Sequence, residues 1–216
     1  MERKHRYIPV FIAVIALTVG SAQARNGEAS SFLGTFTFGI EGSYISTVAS
    51  YRHFNYISTY GYRVDRKFWE TRYHSNGEFL MHIGADISDR FNLSIYTGRS
   101  GINRNVYLTP LTLRGTCYFG KDPAKSRWMA FLDAGPGLSG YGDDMSASGI
   151  VKIGSGYSIP LGKYTRLDFL VSFRNVITNK KMMGSSMSSS IYIPEENLRK
   201  NSSLHMAMTF GIGIRF

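Results

Sequence analysis

The sequence predicts an all-β protein, a single eight-stranded antiparallel up-and-down transmembrane barrel, with ten strands as the alternative. The last stretch, Leu204 to Phe216, carries the first indication. It places Leu204, Met206, Met208, Phe210, Ile212, Ile214 and Phe216 on one face, and His205, Ala207, Thr209, Gly211, Gly213 and Arg215 on the other. A period of two is a strand's period, not a helix's. A large apolar face suits lipid, and a small or charged face suits a crowded barrel interior. The second indication is that segments with this inside-out alternation recur along the chain. The third is that their connections are alternately short and long.

The N-terminus fits export. Arg3, Lys4 and Arg6 precede an apolar run from Tyr7 to Gly20, and Ser21-Ala22-Gln23-Ala24 follows. Small residues at Ala22 and Ala24 fit a signal peptidase, so residues 1–24 read as a signal peptide cleaved after Ala24. The run is shorter than the ~20 residues that a spanning helix needs. The barrel domain is then residues 25–216. No later apolar run approaches a helical span, so any further crossing must use strands. Cys117 is the only cysteine, which excludes an intramolecular disulfide and a multi-cysteine metal site.

After a polar lead, the first strand runs from about Phe32 to Ser46. Phe36, Phe38, Ile40 and Tyr44 point out, and Thr37, Gly39, Glu41 and Ser43 point in. Thr47 to Gly77, rich in Tyr, Arg and Ser, reads as the first long loop. Phe54 to Val64 alternates within it, as a strand extension above the membrane or as the extra hairpin of a ten-stranded barrel. The second strand, Glu78 to Ser88, turns at Ser88-Asp89-Arg90 into the third, Phe91 to Arg99. The fourth, Val106 to Phe119, contains Pro110, which cannot donate to a ladder and should mark a bulge or the upper rim. Gly120 to Arg127 is a turn before the fifth strand, Trp128 to Ser139. Gly140 to Ala147 is a loop before the sixth, Ser148 to Ile159. Pro160 to Thr165 turns into the seventh, Arg166 to Val176. A long polar loop, Ile177 to Ser203, leads to the last. Tyr44, Phe79, Phe91, Phe119, Trp128, Tyr164 and Phe216 lie near strand ends, where a membrane–water girdle belongs.

The inward phase collects Glu41, Asp86, Asp133 and Asp168 with Arg114, Lys152, Arg166, Arg174 and Arg215, and also His82 and His205. Eight strands leave an interior just wide enough for side chains to fill. Charges inside must pair, so the expectation is a salt-bridged, largely closed lumen. A narrow gated pore for small polar solutes or ions is the alternative. A lipid-modifying enzyme is a third reading, and it lacks support. Spacing fixes no inward Ser beside His82 or His205, and a nucleophile needs its base within hydrogen-bond reach. No catalytic residue, metal site or cofactor is expected. A soluble lipocalin-like barrel would need the opposite phase, with its apolar residues inside.

The excess of positive charge lies partly in the loops: Arg52, Arg63, Arg66, Lys67 and Arg72 in the first, and Lys180, Lys181, Arg199 and Lys200 in the last. Guanidinium groups suit phosphate. The partners expected are outer-membrane lipid and lipopolysaccharide, with Arg63, Arg66, Lys67, Arg72, Lys180 and Lys181 as contacts. Nucleic acid is not expected.

The export signal, the paired strands, the run Tyr107 to Phe119 (YLTPLTLRGTCYF), Trp128 to Gly137 (WMAFLDAGPG) and the final Phe216 together resemble small outer-membrane β-barrels. The likeness is to the OmpA-transmembrane and OmpW-like type, and to barrel proteins abundant in Bacteroidota. It covers essentially residues 25–216, with no peptidoglycan-binding domain. It implies the bacterial outer membrane and a monomer. It also implies that Phe210, Ile212, Ile214 and Phe216 are the signal that the barrel-assembly machinery reads. The function expected is structural or surface-interacting, and not enzymatic.

Overall fold

The computed structural model describes residues 36–216 apart from 59–60, 72, 104–105, 121, 123, 142–143, 163, 180–182, 186–189 and 193–196. The signal segment with Ala22 and Ala24, and the contact candidates Arg72, Lys180 and Lys181, lie outside the described residues. The strands are β1 (Phe36–Ile57), β2 (Arg63–Glu70), β3 (His74–Ser88), β4 (Phe91–Asn103), β5 (Val106–Tyr118), β6 (Arg127–Tyr141), β7 (Asp144–Pro160), β8 (Arg166–Thr178), β9 (Met183–Ser185), β10 (Ser190–Tyr192) and β11 (Leu198–Arg215). Eight of them, β1, β3, β4, β5, β6, β7, β8 and β11, pair antiparallel in that order, and β11 closes on β1.

Closure is long. β1 and β11 pair from Gly39↔Arg215 to Tyr56↔Leu198. The seam is sealed at the turn end by two backbone hydrogen bonds between Phe38 and Phe216, of 3.0 and 2.8 Å, and by their stacked rings at 5.2 Å. The chain reverses tightly at Asp89–Arg90, around Gly120 and around Leu161. These are the three short turns that the sequence indicates.

β2 stands outside the ring. β3 pairs with β1 only from Phe36 to Thr47, and β2 takes over from Ser50 to Ile57. The segment after Ser46 is therefore an extension of the wall with an added hairpin strand, and the barrel has eight strands, not ten. A bulge explains why the first strand reads as ending near Ser46. The pairing shifts between Thr47 and Ala49, so the inward phase passes from odd to even residues and the alternation breaks. The last loop is likewise partly strand, since β11 begins at Leu198. The β4–β5 pairing passes from Thr97↔Leu111 to Ser100↔Leu108 around Pro110, which has no N–H to give. Pro110 is fully buried opposite Gly137, and the recorded register shift lies at Gly101/Asn103 instead.

The wall is inside out. Every ring strand exposes large apolar side chains, from Phe36 at 68% to Trp128 at 62%. A water-soluble monomer rarely shows a contiguous apolar patch beyond a few hundred Å², whereas a belt around a closed barrel is what hydrocarbon requires. All seven girdle candidates are exposed. Phe91, Phe119, Trp128, Tyr164 and Phe216 lie at the turn end, whereas Tyr44 and Phe79 lie within β1 and β3, below the ends that these strands reach in the structure.

Candidate functional site

The register builds the lumen. Arg114 on β5 lies opposite Asp133 on β6, Asp133 opposite Lys152 on β7, and Lys152 opposite Arg174 on β8. Four consecutive strands thus carry a row of charges on the inner face, all four buried. The facing wall, β1 and β3, supplies two glutamates that reach across. Arg114 donates through Nη1 to Glu41 Oε2 at 2.7 Å, and through Nε and Nη2 to Asp133 at 3.0 and 2.7 Å. Its guanidinium lies 3.9 Å from the Tyr96 ring centre and 4.4 Å from that of Phe131. Two carboxylates and two aromatic faces therefore replace the water that this cation loses. Ser43 donates to Glu41 at 3.3 Å.

One inward step toward the loop end, Lys152 is ion-paired with Glu78, which also accepts from Ser100 Oγ at 2.6 Å. Arg174 donates through Nη1 to Gly101 O at 3.0 Å, and its Nε and Nη2 have no hydrogen-bond partner among the described residues. Beyond them Ile102, Val106, Leu108, Ile150 and Val176 form a buried apolar cluster from four strands. Beside this cluster, with His205 opposite Val176, Ser50 Oγ and His205 Nδ1 lie 3.0 Å apart.

Toward the turn end a second apolar cluster joins Tyr118, Met129, Phe131 and Leu170. Tyr118 is flanked by Arg127 at 3.9 Å and Arg215 at 4.9 Å. Arg215 meets Asp86 at 3.5 Å, and Asp86 accepts from Asn92 at 2.9 Å. A cavity of about 20 Å³, large enough for a water molecule, lies among Glu41, His82, Arg114, Tyr118, Asp168 and Arg215. Gly213 lines it, and the His82 ring packs against Gly39, where a Cβ would come within 2.5 Å of His82 Cε1. His82 stacks on Tyr96 at 4.6 Å, and both its ring nitrogens and Asp168 Oδ1 lack hydrogen-bond partners among the described residues.

Of the expected lumen residues, the structure joins Glu41, Arg114 and Asp133 in one cluster and Asp86 with Arg215 in another. His82 and Asp168 line the cavity. Lys152 and Arg174 form the upper layer. His205 sits beside the apolar cluster, opposite Val176. Arg166 is half-buried at the turn end, bound to Ser158 Oγ at 2.8 Å and Lys125 O at 3.0 Å. The sequence reading missed Glu78 and Arg127. Glu78 lies within β3 and Arg127 opens β6, each in the inward phase, two residues before Leu80 and Met129, and phase alone would have found both. It also missed Ser50, which the bulge turns inward beside His205. In register Ser50 stands between His205 and Glu70, which is not the order of nucleophile, base and acid. Among the described residues no group of three or more His, Cys, Asp or Glu is placed to hold a metal ion.

Above the ring, the β1–β2 hairpin carries the loop cations. Arg63, Arg66 and Lys67 are all exposed. Of the terminal set, Phe210, Ile212 and Phe216 are exposed on the lipid side, and Ile214 is half-buried.

The fold and the wall together define the class: a small, closed, membrane-spanning β-barrel. No family model matches the sequence, and no curated protein matches it. Among solved structures, the chain is similar to the crystal structure of Neisserial surface protein A (NspA), at 12% identity over 82% of this chain and 95% of that one, with a TM-score of 0.44. It is also similar to the outer membrane protein OprG from Pseudomonas aeruginosa, at 11% identity over 85% of this chain and 97% of that one, with a TM-score of 0.44.

Proposed function

We propose that this chain is a non-enzymatic outer-membrane barrel, exported with removal of residues 1–24. In this reading it is monomeric, closed to solutes, and presents its interacting surface in the strands beyond the ring. The observation that carries the closed lumen is the stacking of three filled levels. These are the Tyr118–Phe131 cluster, the cross-lumen pairs of Glu41 with Arg114 and of Glu78 with Lys152, and the apolar cluster around Leu108. An ion crossing it would have to break buried ion pairs and pass the apolar cluster, where the nearby Ser139 and Ser148 hydroxyls are bonded to each other, and each step is costly. The barrel-assembly machinery would read Phe210, Ile212, Ile214 and Phe216, and the surface partner would be lipopolysaccharide.

A narrow channel is the second reading. It is favoured by the cavity beneath the charged layer and by the unshared Nε and Nη2 of Arg174. Conductance across a planar bilayer separates the two, using protein whose folding is established by a heat-dependent gel shift. The closed reading expects a silent membrane. Discrete steps that change when Leu108 and Ile150 are replaced by alanine would establish the channel.

A further inference from the structure

The cations of the β1–β2 hairpin do not share one face. Residues directly opposite in an antiparallel sheet lie on the same side, and three strands are paired here. Trp69, Tyr51 and Leu204 form one rung, then Lys67, His53 and Ser202, then Asp65, Asn55 and Lys200, with Ile57 and Arg63 last. This side continues the lipid-facing phase of β1, through Ile40 and Tyr44, across the bulge at Val48. The other side carries Glu70, Ser50 and His205, then Phe68, Arg52 and Ser203, then Arg66, Phe54 and Asn201. It continues the lumen phase. There Phe54 packs edge-on to Phe68 at 5.7 Å, and Arg52 meets Glu70 at 3.5 Å.

The outward side is ordered along the membrane normal. Tyr51 and Trp69 pack at 5.1 Å just above the last apolar wall residues, and Trp69 remains 61% exposed. An amphipathic aromatic pair at that height belongs at the headgroup boundary. The cations come in the next rungs. Asp65 is the only acid among them, and it is engaged by His53 at 3.1 Å, by Asn55 at 3.2 Å and by Arg63 at 3.8 Å, a pair that is itself exposed. Arg63 holds Asn55 at 3.2 Å. Lys67 and Lys200 are exposed and make no ion pair among the described residues.

We propose that Lys67, Lys200 and Arg63, above the Tyr51–Trp69 pair, form a docking face for the phosphates of lipopolysaccharide in the outer leaflet. Arg66, on the lumen side of the same hairpin, takes no part. The inference rests on the outer-membrane reading above and narrows its lipopolysaccharide contact to one face. The aromatic pair fixes the depth of the sheet, and the cations then meet groups that carry close to two negative charges each. Among the described residues, the neighbouring strands also carry Arg99, which lies over Tyr107 at 4.1 Å, and the exposed Arg199 beside Lys200.

The test uses full-length folded barrel in detergent micelles, with diphosphorylated lipid A and dephosphorylated lipid A as probes. Lys67→Ser with Lys200→Ser removes two charges from the outward face, and Arg52→Ser with Arg66→Ser removes two from the other. Both pairs lie above the part of the wall where β1 pairs with β3, and the gel shift checks that each variant folds. The proposal expects the first pair to weaken binding of diphosphorylated lipid A about tenfold or more, and the second pair to change it less than about twofold. Dephosphorylated lipid A should bind all three proteins equally weakly. Equal losses from both pairs would overturn the face assignment and leave the lipopolysaccharide contact standing. No binding of either probe by the unaltered barrel would overturn the contact itself. A barrel that never enters membranes would overturn the reading beneath both.

Discussion

Arg114 is 3% exposed and serves two carboxylates and two rings at once. Removing one member of a buried ion cluster leaves uncompensated charge and costs about 3–5 kcal/mol. Arg114→Met should therefore lower the urea midpoint of the folded barrel sharply. Adding Glu41→Gln and Asp133→Asn to it should recover much of the loss, because the remaining groups are then neutral and coupled sites are not additive. A triple variant no more stable than Arg114→Met would contradict the cluster. Phe131 reaches Arg114 because Gly154 stands opposite. A Cβ there would come within 2.5 Å of Phe131 Cζ and 2.6 Å of Ser172 Cβ. Gly154→Ala should thus cost about 1–3 kcal/mol by overpacking, read in the same unfolding experiment. The inward phase of Arg114, Asp133 and Glu41 was legible from alternation. Their meeting was not. Glu41 and Arg114 are brought together by barrel closure and stagger, which local sequence does not carry.

At the scale of elements, the bulge at Val48 decides most of what differs from the sequence reading. It lengthens β1, frees its upper half from β3 and offers that half to β2. β2 pairs with β1 alone, and residues 50–56 of β1 also pair with β11. Replacing residues 50–73 by a short turn therefore removes the upper seam but leaves Gly39 to Thr47 paired with β11. The barrel should still fold, with its heat-dependent gel shift intact. Loss of the shift would mean that the upper seam is needed to close the ring. At the other end, Phe216→Ala removes the ring stacked on Phe38 and weakens the seam. Refolding into lipid vesicles should slow, with the final gel shift unchanged. The eight strands were legible because each carries several cycles of alternation. β2 was harder to see, because Phe68-Trp69 puts adjacent aromatics on both of its faces and masks the period.

For the whole molecule, the sequence indicated the sign of the wall but not how the lumen closes. Ile45, Leu80, Leu108, Ile150, Leu170 and Val176 all occupy the inward phase and are buried. Apolar residues on both faces look alike in a period-two pattern, so the interior read as more polar than it is. The lumen is closed by apolar levels above and below a layer of cross-lumen ion pairs. A narrow eight-stranded ring needs both: side chains large enough to fill it, and partners for whatever charge they carry.

The account depends on which phase meets lipid, and tryptophan fluorescence with brominated acyl chains measures that directly. With Trp69 and Trp128 changed to phenylalanine, a single tryptophan replaces either Phe173, exposed on β8, or Phe131, buried in the lumen. After folding into brominated vesicles, the account expects strong quenching of Phe173→Trp and weak quenching of Phe131→Trp. Quenching of Phe131→Trp with Phe173→Trp spared would place the charged phase against lipid and contradict the barrel's inside-out wall.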